Sequence, residues 1–192
     1  MRTHVALLRG INVGGNNRLA MTELRAAAED LGWSDVATYI QSGNVAFSCG
    51  TVNGPGRPSR SCGELADRLE EELERRCGVR CQVVVVERAE LAAAAEANPF
   101  PRVTDPKALH VGFRRCVLTP EEEGSLRAAV ERAVGKGSHD ELTWSGSTLY
   151  LYTPDGMGRS LLAGELARAA GWRAVTARNW ATVTKLLALL GL

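Results

Sequence analysis

The sequence predicts an α+β fold made of two ferredoxin-like β-α-β-β-α-β subdomains in tandem, with an extra connecting helix and a C-terminal helix. Two observations predict this fold. Short apolar runs typical of strands alternate with helical periodicities in the same order in each half of the chain, and each half has one polar turn at hairpin spacing. The first subdomain is expected to cover residues 1–87, the connecting helix and linker 88–107, and the second subdomain with the C-terminal helix 108–192.

In the first half, glycine and leucine positions define the helices. A helix that begins near Thr22 ends at Gly32, and a later, charged helix carries leucines at i, i+4 and i+8. The stretch Gly50–Ser61 has no apolar periodicity and is rich in glycine and proline, which predicts a mobile loop. The elements predicted here are strand Val5–Leu8, helix Met21–Leu31, strands Val36–Ile40 and Val45–Cys49, helix Glu64–Cys77 and strand Gln82–Val86.

In the second half, proline marks two helix ends. The connecting helix stops at Asn98-Pro99, because proline disfavours helical geometry in the residue before it. Thr119-Pro120 opens a helix, with threonine as the cap and proline in the first turn. The elements predicted here are helix Ala89–Ala97, strand Leu109–Leu118, a helix from Thr119 to Val134, strands Leu142–Trp144 and Thr148–Tyr152, helix Ser160–Ala170, strand Arg173–Ala177 and helix Thr182–Leu190.

Composition and charge indicate an ordinary globular protein of the cytoplasm. The 192 residues are 45% apolar and 23% charged, and 23 Lys and Arg against 22 Asp and Glu leave a net charge of +1. No apolar run is long enough to span a bilayer, and the apolar stretch before Arg9 is too short for a signal peptide. We therefore expect no membrane partner, and nucleic acid could bind only through a local basic patch.

The cysteines and histidines predict neither disulfides nor a cofactor. Five cysteines form no CxxC pair, and an odd number without an export signal argues against a disulfide framework. Three histidines are scattered along the chain, so the spacing gives no metal site. Free structural thiols are expected.

Three polar turns that follow predicted strands are the candidate ligand-binding sites. Glycine lets a backbone approach a ligand closely, and arginines, exposed amides and helix N-termini suit anions. The alternative for each is structural: tight turns, asparagines that cap local backbone, and a buried tryptophan. The candidate residues are Arg9, Asn12, Gly14, Gly15, Asn16 and Arg18 in the first turn, Gln41, Ser42 and Asn44 in the second, and Arg178, Asn179, Trp180 and Lys185 in the third. A fourth turn, Asp155–Ser160, is interpreted as a loop with a serine cap.

Six blocks of sequence, in order along nearly the whole chain, resemble a single bacterial family. They are VALLRGINVGGNN, TYIQSGNVAF, the NPF of Asn98–Phe100, the LHVGF of Leu109–Phe113, YTPDGMGRS and ARNWATVTKL. This chain is similar to members of the domain-of-unknown-function family 1697, and its first and last blocks are the most specific.

The resemblance implies a two-subdomain α+β fold of ferredoxin-like units in a cytoplasmic bacterial protein, with no established activity, substrate, cofactor or catalytic residues. Two departures from the family pattern affect candidate residues. Arg18 stands near a position where members often have lysine, and Ser160-Leu161 stands where members tend to have Ser-Lys. The stretch Gly50–Ser61 is also longer than expected.

The hypothesis that these residues favour is a protein that binds a small anionic ligand, such as a nucleotide or a phosphorylated or carboxylated metabolite, at the strand-end turns. The alternative is an enzyme that acts on a small anionic metabolite without a metal or tightly bound cofactor. A further alternative is a nucleic-acid-binding or protein-interaction module. Aromatic residues make up only 5% of the chain, and Tyr39, Phe47 and Phe113 are the ones considered for base stacking.

Overall fold

The computed structural model describes residues 1–14, 17–49 and 61–192. In these residues the chain forms six α-helices and eight strands, and the strands make two four-stranded antiparallel sheets. The predicted α+β class is confirmed. Gly15, Asn16 and residues 50–60, which hold most of the predicted glycine- and proline-rich loop, lie outside the described residues. The chain divides into two compact units, Met1–Ala93 with Lys185–Leu192 and Ala94–Thr184.

The first unit contains one sheet in the order β2-β3-β1-β4, and all of its strand pairs are antiparallel. The turn between β2 and β3 is the predicted hairpin turn at Gln41–Asn44. The elements of this part of the chain are β1 (His4–Arg9), α1 (Met21–Asp30), β2 (Ser34–Tyr39), β3 (Asn44–Ser48), α2 (Cys62–Cys77), β4 (Gln82–Glu87) and α3 (Arg88–Glu96).

The i, i+4, i+8 leucines of α2 form its buried face, as the sequence predicts. The helix begins two residues earlier than expected because Ser61 and Glu64 form a capping box, in which each side chain accepts a hydrogen bond from the other residue's backbone N–H. Fully burying one leucine stabilises the fold by about 1.5–3 kcal/mol. The buried leucines are Leu65, Leu69 and Leu73.

The second unit also contains one antiparallel sheet, in the order β6-β7-β5-β8. Thr119 caps α4 and Pro120 occupies its first turn, which confirms the predicted start of this helix. The elements are β5 (Leu109–Phe113), α4 (Pro120–Gly135), β6 (Glu141–Ser145), β7 (Thr148–Tyr152), α5 (Leu161–Leu166), β8 (Thr176–Asn179) and α6 (Trp180–Leu190).

Three predicted boundaries in the second half are wrong by three residues or more. Strand β5 ends at Phe113 rather than Leu118, because the next side chain turns inward to form an ion pair. Helix α5 ends at Leu166 rather than Ala170, where backbone bonds between residues three apart tighten the chain into a 3-10 turn. Strand β8 begins at Thr176, three residues later than predicted, after that turn.

The inward-turning side chain is Arg114, which is only 7% exposed. Its Nη2 donates to both carboxylate oxygens of Glu122, at 2.7 and 2.8 Å, and its Nη1 donates to the carbonyl of Gly171 at 2.6 Å. These bonds hold the pKa of Glu122 below its usual range. Arg114 thus joins the end of β5 to the first turn of α4 and to the 3-10 turn before β8.

The end of α6 belongs to the first unit, although it follows the second unit in sequence. Arg2 donates to the carbonyl of Leu189 at 3.0 Å, and Arg88 donates to those of Leu190 and Gly191 at 3.0 and 3.1 Å. The last carbonyls of a helix have no partner within the helix, so these guanidinium groups complete its hydrogen bonding.

Among the helices of the described residues, none has the length and apolar character that crossing a membrane requires.

We expect Gly171→Ala to destabilise the protein. A Cβ at this position would lie 2.7 Å from the backbone oxygen of Glu122 and 2.8 Å from Leu126 Cγ. Overpacking of this kind costs roughly 1–3 kcal/mol. The matched control is Gly124→Ala on α4, where a Cβ meets nothing within 4 Å. It should stabilise the helix by roughly 0.5–1 kcal/mol. Urea unfolding measures both changes, and a Gly171→Ala protein as stable as wild type would contradict the packing described.

Glu165 of α5 is a buried carboxylate that neutralises one cation of α4 and one just after its end. Its oxygens lie 2.7 Å from Arg132 Nε and 2.6 Å from Lys136 Nζ, and its side chain is 7% exposed. The hydrogen bonds from Arg132 and then Lys136 lower the pKa of Glu165 to about 2.

We therefore expect Glu165→Gln to change how stability depends on pH. In the range between the ordinary carboxyl pKa and about 2, the unfolded chain binds a proton at Glu165 that the folded chain does not. The stabilisation from Glu165 is thus complete above that range and is lost as pH falls through it. Urea unfolding from pH 6 to pH 2 should show a shallower acid decline for Glu165→Gln than for wild type. If the free energy of unfolding declined equally with pH in the two proteins, the ion pairs of Glu165 would not contribute to stability in solution.

Candidate functional site

The loop after β1 has a backbone that repeatedly enters the left-handed region. Gly10, Asn12 and Gly14 have φ angles of 76°, 54° and 60°, and Asn17 follows with 48°. Among the described residues Ile11 and Val13, which lie between them, do not have positive φ. Alternation of right- and left-handed residues turns successive backbone N–H groups toward one side of a loop, which is how proteins build anion-binding nests.

Asn12 fixes this loop with its side-chain amide. Its Nδ2 donates to the carbonyl of Leu19 at 3.0 Å and to that of Gln41 at 2.9 Å, and its Oδ1 accepts from the N–H of Leu19 at 2.9 Å. The bond to Gln41 brings the first two predicted turns together within the first unit. Asn17 adds bonds from its Nδ2 to the carbonyls of Gly10 and Arg80, both at 3.1 Å.

The second turn packs closely against the first. Gly43 has a φ of 77°, and a Cβ there would lie 2.5 Å from Ile11 Cδ1 and 2.8 Å from Leu8 Cβ, so the contact requires glycine. Asn44 is fully buried, and its Nδ2 donates to the carbonyl of Tyr39 at 2.9 Å and to Ser42 Oγ at 3.1 Å. Asn12 and Asn44 therefore hold the turns in place.

The charged and exposed candidates of the first unit surround this framework. Arg9 ends β1 half-buried, and burial lowers its pKa. Arg18 is exposed, as are Gly14, Gln41 and Ser42. The candidates Gly15 and Asn16 lie outside the described residues. The loop thus has a half-buried cation at one end and an exposed cation near the other.

The third turn belongs to the second unit. Arg178 lies in β8 opposite Val111, and burial lowers its pKa to about 10, so it stays charged at neutral pH. Asn179 Oδ1 accepts from the N–H of Thr182 at 2.9 Å and from its hydroxyl at 2.8 Å, which starts α6 at Trp180. Trp180 is half-buried. Lys185 is exposed further along the helix, in the segment that groups with the first unit.

The fourth turn ends in the serine cap that the sequence predicts. Ser160 Oγ accepts from the N–H of Ala163 at 2.8 Å and donates to Asp140 Oδ2 at 2.9 Å. Asp140 Oδ2 also accepts from Ser138 Oγ and from the N–H of Leu162. These bonds fix the start of α5.

Sequence spacing missed two features. His4, Cys62 and Glu87 place one nitrogen, sulfur or oxygen atom each within 4.8 Å of one another. In the second unit, a cavity of about 540 Å³ opens between residues 99–105, Ala108 and Tyr152. The rings of Phe100 and Tyr152 lie 5.6 Å apart at this cavity. The NPF motif, whose Pro99 and Phe100 line this cavity, predicted the end of the connecting helix but did not indicate a cavity.

A family model described as "Protein of unknown function (DUF1697)" matches residues 1–150. The chain belongs to this family. The predicted resemblance is confirmed, and the matched range includes the loop after β1 and the Gln41–Asn44 turn, whereas Arg178–Trp180 lie beyond it.

One solved structure shares the fold of nearly the whole chain. A conserved bacterial protein from Streptococcus pneumoniae matches with a TM-score of 0.68 and 23% sequence identity, over 98% of each chain. At this identity the likeness shows the fold alone. A search of curated proteins gives no match.

We expect Asn12→Asp to destabilise the first unit. The substitution keeps the Oδ atom that accepts from Leu19 but removes both donations from Nδ2, leaving carboxylate oxygen facing two carbonyls. The expected loss is about 1–3 kcal/mol in urea unfolding. Asn98→Asp is the control, because Asn98 Oδ1 accepts a hydrogen bond from the N–H of Phe100 and an aspartate keeps this acceptor. Equal stability of the two variants would contradict the role assigned to Asn12.

Proposed function

We propose that this DUF1697 protein binds a small anionic ligand, such as a nucleotide or a phosphorylated or carboxylated metabolite, at the loop after β1. The predicted residues of the first two turns make up this candidate site, in which the buried Asn44 holds the second turn in place and Gly15 and Asn16 stay candidates from the sequence alone. The observation that carries the proposal is the left-handed alternation at Gly10, Asn12 and Gly14, held by the side chain of Asn12 and flanked by Arg9 and Arg18.

Two physical effects support an anion at this place. In a nest, backbone N–H groups directed to one side supply partial positive charge without a flexible side chain, so little entropy is lost when a ligand binds. The N–H of Asn12 itself donates to the carbonyl of Asn17 at 3.1 Å, so the other N–H groups of the loop would hold the anion. Arginine adds planar donors that match phosphate and carboxylate oxygens in pairs. Arg18 is exposed and can reach a ligand in solvent, whereas the half-buried Arg9 sits at the base of the loop.

The third turn stays in the proposal as a second element that favours anions. Arg178 brings a buried guanidinium group to the residue before Asn179 and Trp180 in the second unit. Lys185, which groups with the first unit, stays a separate candidate. The start of a helix favours negative charge, which supports this part of the proposal.

Within the same proposal, each unit is a ferredoxin-like β-α-β-β-α-β subdomain. The orders β4-β1-β3-β2 and β8-β5-β7-β6 support this assignment, because in each sheet the first and last strands of the unit are neighbours and the inner hairpin lies beside the first strand. The boundaries 1–87, 88–107 and 108–192 stay a prediction.

The cavity of the second unit favours the enzyme alternative, with a small anionic metabolite as the substrate. Its volume of about 540 Å³ lies in the range of small-molecule sites. Arg102 and Asp105 on its lining offer a cation for an anionic group and a carboxylate for proton transfer. Asp105 Oδ1 accepts from the N–H of Lys107 at 2.9 Å, which orients the carboxyl group.

The nucleic-acid alternative has less support. Phe47 and Phe113 are 0% and 1% exposed, so neither ring is available for a base to stack on.

The test is calorimetric titration with inorganic phosphate, AMP and citrate. We expect Arg18→Ala to weaken binding by about 10–100-fold, because one charge-assisted hydrogen bond contributes about 1.5–3 kcal/mol. Arg75→Ala on α2 is the matched control, since Arg75 is 69% exposed, forms an ion pair with Glu72 and gives the same change in net charge.

The control variant should bind as tightly as wild type. If wild type binds none of the three anions, the proposal fails. Equal weakening in both arginine variants would indicate a general charge effect and would also contradict a site at this loop.

A further inference from the structure

One corner of the first unit brings together three side chains that are far apart in sequence. His4 begins β1 and Glu87 ends β4, and the two residues are register partners in the antiparallel pair. Cys62 is the first residue of α2. One potential ligand atom from each of the three lies within 4.8 Å of the other two, with Cys62 Sγ at 4.0 Å from Glu87 Oε1.

We propose that His4, Cys62 and Glu87 form a binding site for a divalent transition-metal ion of the zinc class. Imidazole, thiolate and carboxylate are the three side-chain types that bind zinc in proteins. A set of three such ligands leaves the fourth tetrahedral position for water or another small ligand. Magnesium and calcium prefer oxygen ligands, so the sulfur and nitrogen in this set favour a softer metal.

The geometry requires only small side-chain movements. Bonds of about 2.0–2.3 Å in a tetrahedral site place ligand atoms roughly 3.3–3.8 Å apart. All three separations in this cluster are within 4.8 Å, so none exceeds that spacing by more than about 1.5 Å. Glu87 is exposed, so its carboxylate can move toward the other two ligands while the backbone pairing of β1 and β4 stays intact.

Neighbouring residues orient the imidazole. Thr3 Oγ1 lies 2.8 Å from His4 Nδ1, and Thr3 Oγ1 also accepts from the N–H of Cys49 at 3.4 Å. When Nδ1–H donates to Thr3, Nε2 carries the lone pair that a metal requires, which is the usual arrangement around metal-binding histidines. The ring stacks on Phe47 with centroids 5.4 Å apart, which further limits its rotation.

The charges around the cluster favour a cation. The carboxylates of Glu87 and Glu90 place negative charge near Cys62. The same carboxylates attract a divalent ion, whose charge in turn favours the thiolate over the thiol. These residues are separate from the proposed anion site, so the two proposals can fail independently.

The alternative is an ordinary thiol–carboxylate contact, and the chain provides a matched control for it. Cys77 Sγ also lies 4.0 Å from a carboxylate, Glu23 Oε2, but there the neighbouring charged residue is Arg76 rather than a histidine. A cation next to Arg76 would be repelled, so we expect no metal at Cys77.

The experiment is titration of the chelator-treated full-length protein with Co²⁺ and then with Zn²⁺ in competition. Wild type and Cys77→Ser should bind one ion per chain and show a thiolate-to-cobalt charge-transfer absorption. Cys62→Ser should lose this absorption and bind Zn²⁺ at least about 100-fold more weakly, because loss of an orienting neighbour alone costs 10–100-fold. Glu87→Gln, an exposed substitution, should keep the absorption but lower the affinity, and it tests the site even if Cys62→Ser fails to fold.

The proposal is overturned if wild type shows no charge-transfer absorption or if Cys62→Ser retains it. It is also overturned if Glu87→Gln binds Zn²⁺ as tightly as wild type, or if the absorption depends on Cys77 instead.

Discussion

The side-chain amide of Asn12 is the constraint on which the candidate site depends. It makes hydrogen bonds to the N–H and the carbonyl of Leu19 and to the carbonyl of Gln41. One residue therefore joins the loop after β1 to the segment just before α1 and to the turn after β2. Gly10 and Gly14 adopt positive φ at no steric cost, whereas the positive φ of Asn12 costs free energy that its side-chain bonds offset. The anion nest we propose therefore follows from a hydrogen-bonding requirement of the fold.

The second unit fixes the loop after its first strand with a different kind of side chain. This difference is the reason that we assign the site to the first unit. Each unit has a loop after its first strand that a polar side chain holds in place. After β5 that side chain is Arg114, and its positive charge is neutralised by Glu122. After β1 it is the neutral Asn12, so the loop is fixed without using either Arg9 or Arg18 for that bond. The first loop accordingly keeps the exposed Arg18 beside a fixed backbone.

The features that could be predicted from the sequence are those set by neighbours along the chain. Thr119-Pro120 marks the start of α4 because cap and helix are adjacent, and the polar turn at Gln41–Asn44 marks a hairpin for the same reason. The end of β5 could not be predicted, because it depends on Arg114 meeting Glu122 across a turn.

The metal-ligand cluster was not accessible to sequence spacing either. His4, Cys62 and Glu87 meet only because β1 and β4 pair in one register and α2 begins beside them. Asn12 and Asn44 were predicted as candidate ligand-binding residues, and the structure shows that both also hold the backbone. A sequence pattern of Gly and Asn indicates an unusual loop, but whether each amide faces a ligand or the backbone depends on contacts with distant residues.

The most direct test of the proposed anion nest is a titration of the ¹⁵N-labelled protein with inorganic phosphate, in which the chemical shifts of the backbone amides are monitored. If the loop after β1 is an anion nest, the largest shifts should occur at the amides of residues 10–18, including Gly10 and Gly14, and should be saturable. They should shrink in Asn12→Asp, which loses the bonds that shape the loop. Saturable shifts that map to a different surface, or no saturation at any amide, would contradict it.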